Sequence, residues 1–254
     1  MNSPTSKDEN SKSDILTNIQ VSCDKCGHYE ENIEEFCDVL ATNIIDAVYC
    51  PGMNSIFVIV RHYTYPYSND SVDQNRVCDT SLHRITLPSD HVSASIKNFV
   101  FYNCIVDHKN SSSFISLGAG YSHVLLCSSN GSVFSYSTDN RYGQTGNDPI
   151  SSSLLPQSSS SEEIRTFKRV HALAGIKIKS VACGYFHSLF VDSSGFVYSC
   201  GLNKYGQLGR SYGDYSVPEP VTEFLKKNGQ LADPTVIQIS CGIYHSVVNT
   251  GGFF

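Results

Sequence analysis

The sequence repeats itself, and this limits its possible folds more than any other property of the chain. Val181-Ala-Cys-Gly-Tyr-Phe-His-Ser-Leu-Phe-Val191 is followed by Gly195, by Phe196-Val-Tyr-Ser-Cys-Gly201 and by Asn203-Lys-Tyr-Gly-Gln-Leu-Gly209. An earlier copy runs Leu117-Gly-Ala-Gly-Tyr-Ser-His-Val-Leu-Leu-Cys127, then Gly131, Val133-Phe-Ser-Tyr136 and Asn140-Arg-Tyr-Gly-Gln-Thr-Gly146. A third begins at Ile239-Ser-Cys-Gly-Ile-Tyr-His-Ser-Val-Val248. Gly120, Gly184 and Gly242 correspond, as do His123, His187 and His245, at intervals of roughly 60 residues. Val48–Val58 overlays Val181–Val191 without a gap, with Pro51 at the motif glycine and Asn54 at the histidine. It is read as a fourth, worn copy.

Each unit reads as short antiparallel strands. Ser188–Val191 and Phe196–Ser199 are β-rich runs separated by Ser193-Ser194-Gly195, which is hairpin chemistry. Lys177–Ala182 supplies a strand before them. Asn203 to Gln207 forms a tight turn after them, and Pro220-Val221-Thr222 supplies a fourth strand. Three or four such strands per repeat predict an all-β chain built as a β-propeller. The copies start near residues 44, 115, 178 and 236, and the last is incomplete. About three to four blades are thus expected over 44–254. Residues 1–20 read as a flexible tail. Within 21–43, Asn32 to Asn43 is predicted as a short N-terminal helix packed on the propeller, since Ile33, Phe36, Cys37, Leu40, Ala41 and Ile44 share one face at helical spacing.

A residue that recurs with the register is read as structural, because a catalytic residue is normally unique. The structural set is Gly120, His123, Gly131, Asn140, Gly143, Gly184, His187, Gly195, Asn203, Gly206, Gln207, Gly209, Gly242 and His245. The histidines are expected to be buried and hydrogen-bonded. The glycines are expected to allow sharp turns or close approach between blades. Several of the ten cysteines recur as well and are read as small, reduced hydrophobes. Cys23, Cys26, His28 and Cys37 are weak metal candidates, since tetrahedral zinc takes two ligand pairs and only one CxxC is present. Gly118-Ala-Gly120 lacks the third glycine of a dinucleotide loop. No catalytic residue, metal or cofactor is expected.

Cys-Gly-x-x-His-Ser, then Gly-x-Val-Tyr-Ser, then Asn-x-x-Gly-Gln-Leu-Gly resembles the regulator of chromosome condensation repeat. The match is close at Ser180–Gly209, good at Leu117–Gly146 and partial at Ile237–Gly252. The resemblance implies a propeller of about seven blades, of which this chain would be the first part, ending short at Phe254. It also implies a protein-binding platform. Relatives of this type include guanine-nucleotide exchange factors for small GTPases and chromatin-associated proteins. The family's Trp-Gly at the end of the third strand is here Tyr136-Ser137 and Cys200-Gly201, and the chain has no tryptophan. No exchange-loop residue can be carried over.

The net charge of −6 disfavours direct nucleic-acid binding, which needs clustered Lys and Arg. Met1–Asp14 has no signal-peptide h-region, and no apolar run is long enough to span a bilayer. An intracellular protein, cytoplasmic or nuclear, is expected. The leading expectation for function is a non-catalytic scaffold binding a protein partner through loops such as Asn147–Arg165 and Arg210–Pro220. Guanine-nucleotide exchange on a small GTPase is the alternative.

Overall fold

The computed structural model describes residues 20–21, 44–64, 77–87, 100–103, 105–106, 113–147, 166–211, 213–222, 226–227, 230–231 and 236–250. The proposed N-terminal helix and the Cys23, Cys26, His28 and Cys37 group lie outside these residues, as does nearly all of the Asn147–Arg165 loop.

The described residues are all-β. The first sheet holds β1 (Gln20–Val21), β2 (Ile44–Cys50), β3 (Ser55–Thr64), β4 (Val77–Thr86) and β5 (Val100–Asn103), in the order β1-β5-β4-β3-β2. The second holds β6 (Ile105–Val106), β7 (Phe114–Ala119), β8 (His123–Ser128), β9 (Val133–Ser137) and β10 (Thr166–Arg169), in the order β6-β10-β9-β8-β7. The third is β11 (Ile178–Cys183), β12 (His187–Asp192), β13 (Val197–Gly201) and β14 (Tyr215–Pro220), paired in chain order. A small ribbon, β15 (Lys226–Lys227) and β16 (Gln230–Leu231), precedes the final pair β17 (Val236–Cys241) and β18 (Ser246–Thr250).

Each full sheet is an antiparallel meander, and β1 and β6 add parallel edges to β5 and β10. The first strands neighbour one another in sequence order, β2 against β7, β7 against β11 and β11 against β17. This is the arrangement of consecutive propeller blades around an axis, present in part. Repetition reaches the backbone detail. The register between first and second strand shifts once in every copy, at Ile44/Asp46, Phe114/Ser116, Ile178/Ser180 and Val236/Gln238. The worn first copy therefore folds as the others do.

The core lies between blades rather than inside any one of them, because a single sheet cannot cover its own apolar faces. Phe57 and Ile59 of the first blade pack with Leu126, Phe134 and Phe167 of the second. Leu125 and Val170 of the second pack with Ile178, Phe190 and Cys200 of the third. Leu189 and Val197 of the third meet Val236 and Ile239. In the position of the family's tryptophan, Tyr136 packs 5.5 Å from Phe167 and 6.4 Å from Phe57 between ring centroids. Cys200, at the other such position, is fully buried.

The fourth strand of the third blade departs from expectation. It spans Tyr215–Pro220 and not Pro220–Thr222. As the outer strand, it tolerates Pro218 and Pro220, which a central strand would not. The Arg210–Pro220 segment is thus largely strand. Arg210 is held by the Ser199 carbonyl at 2.7 Å, by Glu219 at 2.5 Å and against the Tyr215 ring at 4.0 Å.

Candidate functional site

The motif residues converge on the joints between blades. His123 opens β8 and is fully buried. Its Nε2 lies 2.9 Å from Ser188 Oγ of the next blade. Ser188 Oγ donates its only hydrogen to the Gln144 carbonyl at 2.6 Å, so the proton between His123 and Ser188 belongs to Nε2. The next joint is the same. His187 Nε2 lies 3.0 Å from Ser246 Oγ, which donates to the Gln207 carbonyl at 2.6 Å. Each lock thus runs from a histidine, through the serine of the following blade, back to a glutamine of the histidine's own blade.

The outer ring nitrogens, Nδ1 of His123 and of His187, are buried without a partner. Protonating either ring would add a charge that burial cannot solvate. Burial lowers the His123 pKa to about 3, with a smaller contribution from His187. Burial likewise lowers His187 to about 4. Neither histidine is a proton carrier near neutrality. His245 differs from its two counterparts. It is exposed, because no described residue lies on its forward side.

The motif glycines answer to the histidine rings. A Cβ on Gly120, Gly184 or Gly242 would come within 2.2, 2.0 or 2.1 Å of the Cε1 atom of its own histidine. None of the three has positive φ, so close approach rather than a sharp turn selects glycine here. The worn copy confirms the logic by losing every part together. Asn54 replaces the histidine, Pro51 the glycine, and Val124 the serine that would have received the bond. Asn54 Nδ2 instead donates to the Leu87 carbonyl at 3.1 Å. Arg84 bridges that joint, with Nε donating to Ser55 Oγ at 3.0 Å and Nη1 to Tyr136 Oη at 3.4 Å.

The Asn-x-x-Gly-Gln segments fold alike in both copies. Asn140 Oδ1 accepts from Thr145 N and Asn203 Oδ1 from Leu208 N, both at 3.0 Å. Asn203 Nδ2 also donates to the Ser211 carbonyl at 2.7 Å. Gly143 and Gly206 donate to the carbonyls of Asn140 and Asn203, and Gly146 and Gly209 continue the turn. Gly131 and Gly195, at φ of 86° and 89°, close the hairpins at the opposite end. Asn203→Ala is expected to cost about 2 kcal/mol, read from the midpoint of urea unfolding, because it strips buried backbone groups of their partners.

Cys50, Cys127, Cys183, Cys200 and Cys241 are free, and burial raises all five thiols above their ordinary range. Such thiols are poor nucleophiles and poor metal ligands. Among the described residues, no three His, Cys, Asp or Glu side chains gather as a metal site would require. No described helix is long and apolar enough to cross a membrane.

The described residues also carry a belt of aromatic rings at the end of the blades that holds the turns between first and second strands. Tyr121 stacks on Tyr185 with centroids 4.3 Å apart, and Tyr185 lies 6.2 Å from Tyr244. Tyr205 is 5.0 Å from Tyr244, and Phe186 sits between Tyr142 and Tyr185. Backbone bonds link these turns from blade to blade: Gly52 N to Tyr121 O, Tyr121 N to Tyr185 O, and Tyr185 N to Ile243 O. Tyr121, Tyr205, Ile243 and Tyr244 remain exposed. Sequence reading missed the belt, and it missed Ser188, Ser246 and Gln144. The recurring His-Ser pair was the available signal for the serines, but each serine serves the histidine of the preceding copy.

Comparison with known proteins agrees with this geometry. The Regulator of chromosome condensation (RCC1) repeat matches residues 178–207 and, in a second description, residues 194–248. The human RCC1-like G exchanging factor-like protein is 31% identical over 137 residues, which is 53% of this chain and 26% of that protein. The Ultraviolet-B receptor UVR8 of Arabidopsis thaliana is 30% identical over 135 residues, with the same coverage. The chain therefore spans about a quarter of these curated relatives. The crystal structure of human WBSCR16 superposes with a TM-score of 0.50 at 24% identity, covering 78% of this chain and 45% of that one, a likeness of fold. Residues 178–248 therefore carry repeats of the regulator of chromosome condensation type, and the described residues fold as part of a β-propeller.

Proposed function

We propose that this chain is a non-catalytic interaction module that binds a protein partner through the turns at the belt end of its blades. The observation that carries the reading is the exposed run of Tyr121, Tyr205, Ile243 and Tyr244 beside the stacked Tyr185. Contiguous exposed aromatic surface favours burial against another protein, and tyrosine supplies large contact area at low entropic cost. Among the described residues, the buried histidines His123 and His187 hold the joints, and burial holds the five described thiols protonated. The family suggests two partner classes, a chromatin-associated protein and a small GTPase.

The test is affinity purification from cells with the intact chain and with a Tyr121→Ser/Tyr205→Ser/Tyr244→Ser variant. A partner retained by the first and lost by the second is the expected result. Recovery of the same partners at the same level by both would refute the reading.

Guanine-nucleotide exchange is the second reading, favoured by the name of the human relative at 31% identity. An exchange factor pries open its GTPase and needs no cofactor of its own. Purified protein should then speed release of labelled GDP from one member of a small-GTPase panel. Unchanged release across the panel removes this reading and leaves the first intact.

A further inference from the structure

The end of the blades opposite the tyrosine belt has a different character. Ile164 to Lys179, the run across β10 and into β11, contains no aspartate or glutamate, although the whole chain carries a net charge of −6. The same stretch holds Arg165, Lys168, Arg169, Lys177 and Lys179. Lys168, Arg169 and Lys177 are exposed. The ion pairs among the described residues are Arg141–Asp139 and Arg210–Glu219, so no described carboxylate neutralises these three.

Two of these cations face a groove of about 290 Å³. One wall is the Asn130–Ser132 turn between β8 and β9, and the other is the link that carries the chain from β10 to β11. The walls are fixed to each other. Ile178 N donates to Gly131 O at 3.1 Å, and Val170 N donates to Val133 O at 2.9 Å. Arg169 Nη2 rests on Ser132 Oγ at 3.3 Å. Lys177 lies so close to Gly131 that a Cβ there would come within 2.6 Å of its Cγ. Val133 and Leu173 are buried beneath and give an apolar floor.

We infer that this groove is a docking site for an acidic segment of a protein partner. An apolar occupant would strip water from the guanidinium and the ammonium and return no hydrogen bond, and a neutral acceptor would return only uncharged ones. A carboxylate returns charge-assisted hydrogen bonds, and the Arg169 fork can meet it with two at once. The apolar floor accepts the neighbouring side chain of an extended peptide. The groove is too short and the chain too acidic overall for a nucleic-acid backbone, which rewards long runs of cations. The inference rests on the interaction-module reading and adds a second surface, on the face away from the tyrosine belt.

The experiment is a titration of the purified chain into a fluorescein-labelled peptide of about ten alternating Glu and Ala residues, followed by anisotropy at about 50 and about 300 mM salt. Saturable binding is expected, at least about tenfold weaker at the higher salt and in Arg169→Glu/Lys177→Glu. Lys204→Glu, at the belt end, should bind as the unmodified chain does. Arg169→Gln/Lys177→Gln, with its thermal unfolding checked by circular dichroism, separates lost charge from lost fold. No saturation, or equal binding by the double variants, overturns the proposal. Tighter binding of a single-stranded oligonucleotide of the same length overturns it in favour of nucleic acid. Belt-dependent capture of a partner that survives the groove variants would sink the groove alone, whereas absence of any partner would sink the module reading.

Discussion

Acidification from pH 7 to pH 5 is expected to remove about 4 kcal/mol of stability, about 2 kcal/mol from each histidine lock. The folded pKa values, about 3 for His123 and about 4 for His187, lie below the ordinary 6.5. Between those values the unfolded chain binds more protons than the folded one, so stability rises with pH there and falls as acid is added. Above pH 7 these two groups contribute no further pH dependence. Below their folded values the loss is complete. Urea unfolding at pH 7, 6 and 5, followed by far-ultraviolet circular dichroism, reads the effect directly. A midpoint that does not move between pH 7 and pH 5 would contradict the assignment of both rings as buried and neutral.

Gly120→Ala is expected to cost about 3 kcal/mol or more, at the upper end of overpacking in a closed core. The new Cβ would lie 2.2 Å from His123 Cε1 and 2.3 Å from the Gly184 carbonyl. The ring is pinned by Ser188 and the carbonyl belongs to the next blade, so neither can move aside cheaply. Gly206→Ala provides the contrast. Its φ is +76°, but a Cβ there meets nothing within 4 Å, so only conformational strain of about 1 kcal/mol applies. Equal unfolding midpoints for the two variants would show that strain, and not the joint, sets the cost. Adding His123→Asn to Gly120→Ala reproduces the Pro51/Asn54 solution of the first copy in part. The pair should lose less than the sum of its members, since removing the ring frees the space the methyl needs.

Much of this was legible because the chain states it more than once. Hairpin glycines, strand starts and the all-β repeat follow from aligning Val181–Val191 with Leu117–Cys127. The alignment of the copies also picks out His123 and His187, both fully buried. What sequence could not show were relations across a joint. Ser188 looks like the second half of a His-Ser pair, yet its bond goes to His123 of the copy before. The fourth strand lies upstream of the expected Pro220-Val221-Thr222, because its outer position makes Pro218 and Pro220 tolerable within it. The tyrosine belt stayed hidden because Tyr121, Tyr185, Tyr205 and Tyr244 lie in separate turns of the sequence, and only the fold places those turns on one rim.

The locks also have a direction. His123 and His187 each reach forward to a serine made later in the chain, and neither blade supplies both halves of its own fastening. A blade leaving the ribosome is therefore unlatched until its successor arrives, and His187 waits for Ser246 some 59 residues downstream. Each of these locks can therefore close only after the following copy has been synthesised. The joint between the first and second blades stands outside this sequence, because Arg84 and Tyr136 close it without a histidine. It can set before any latch is thrown and give the later blades a fixed edge on which to build.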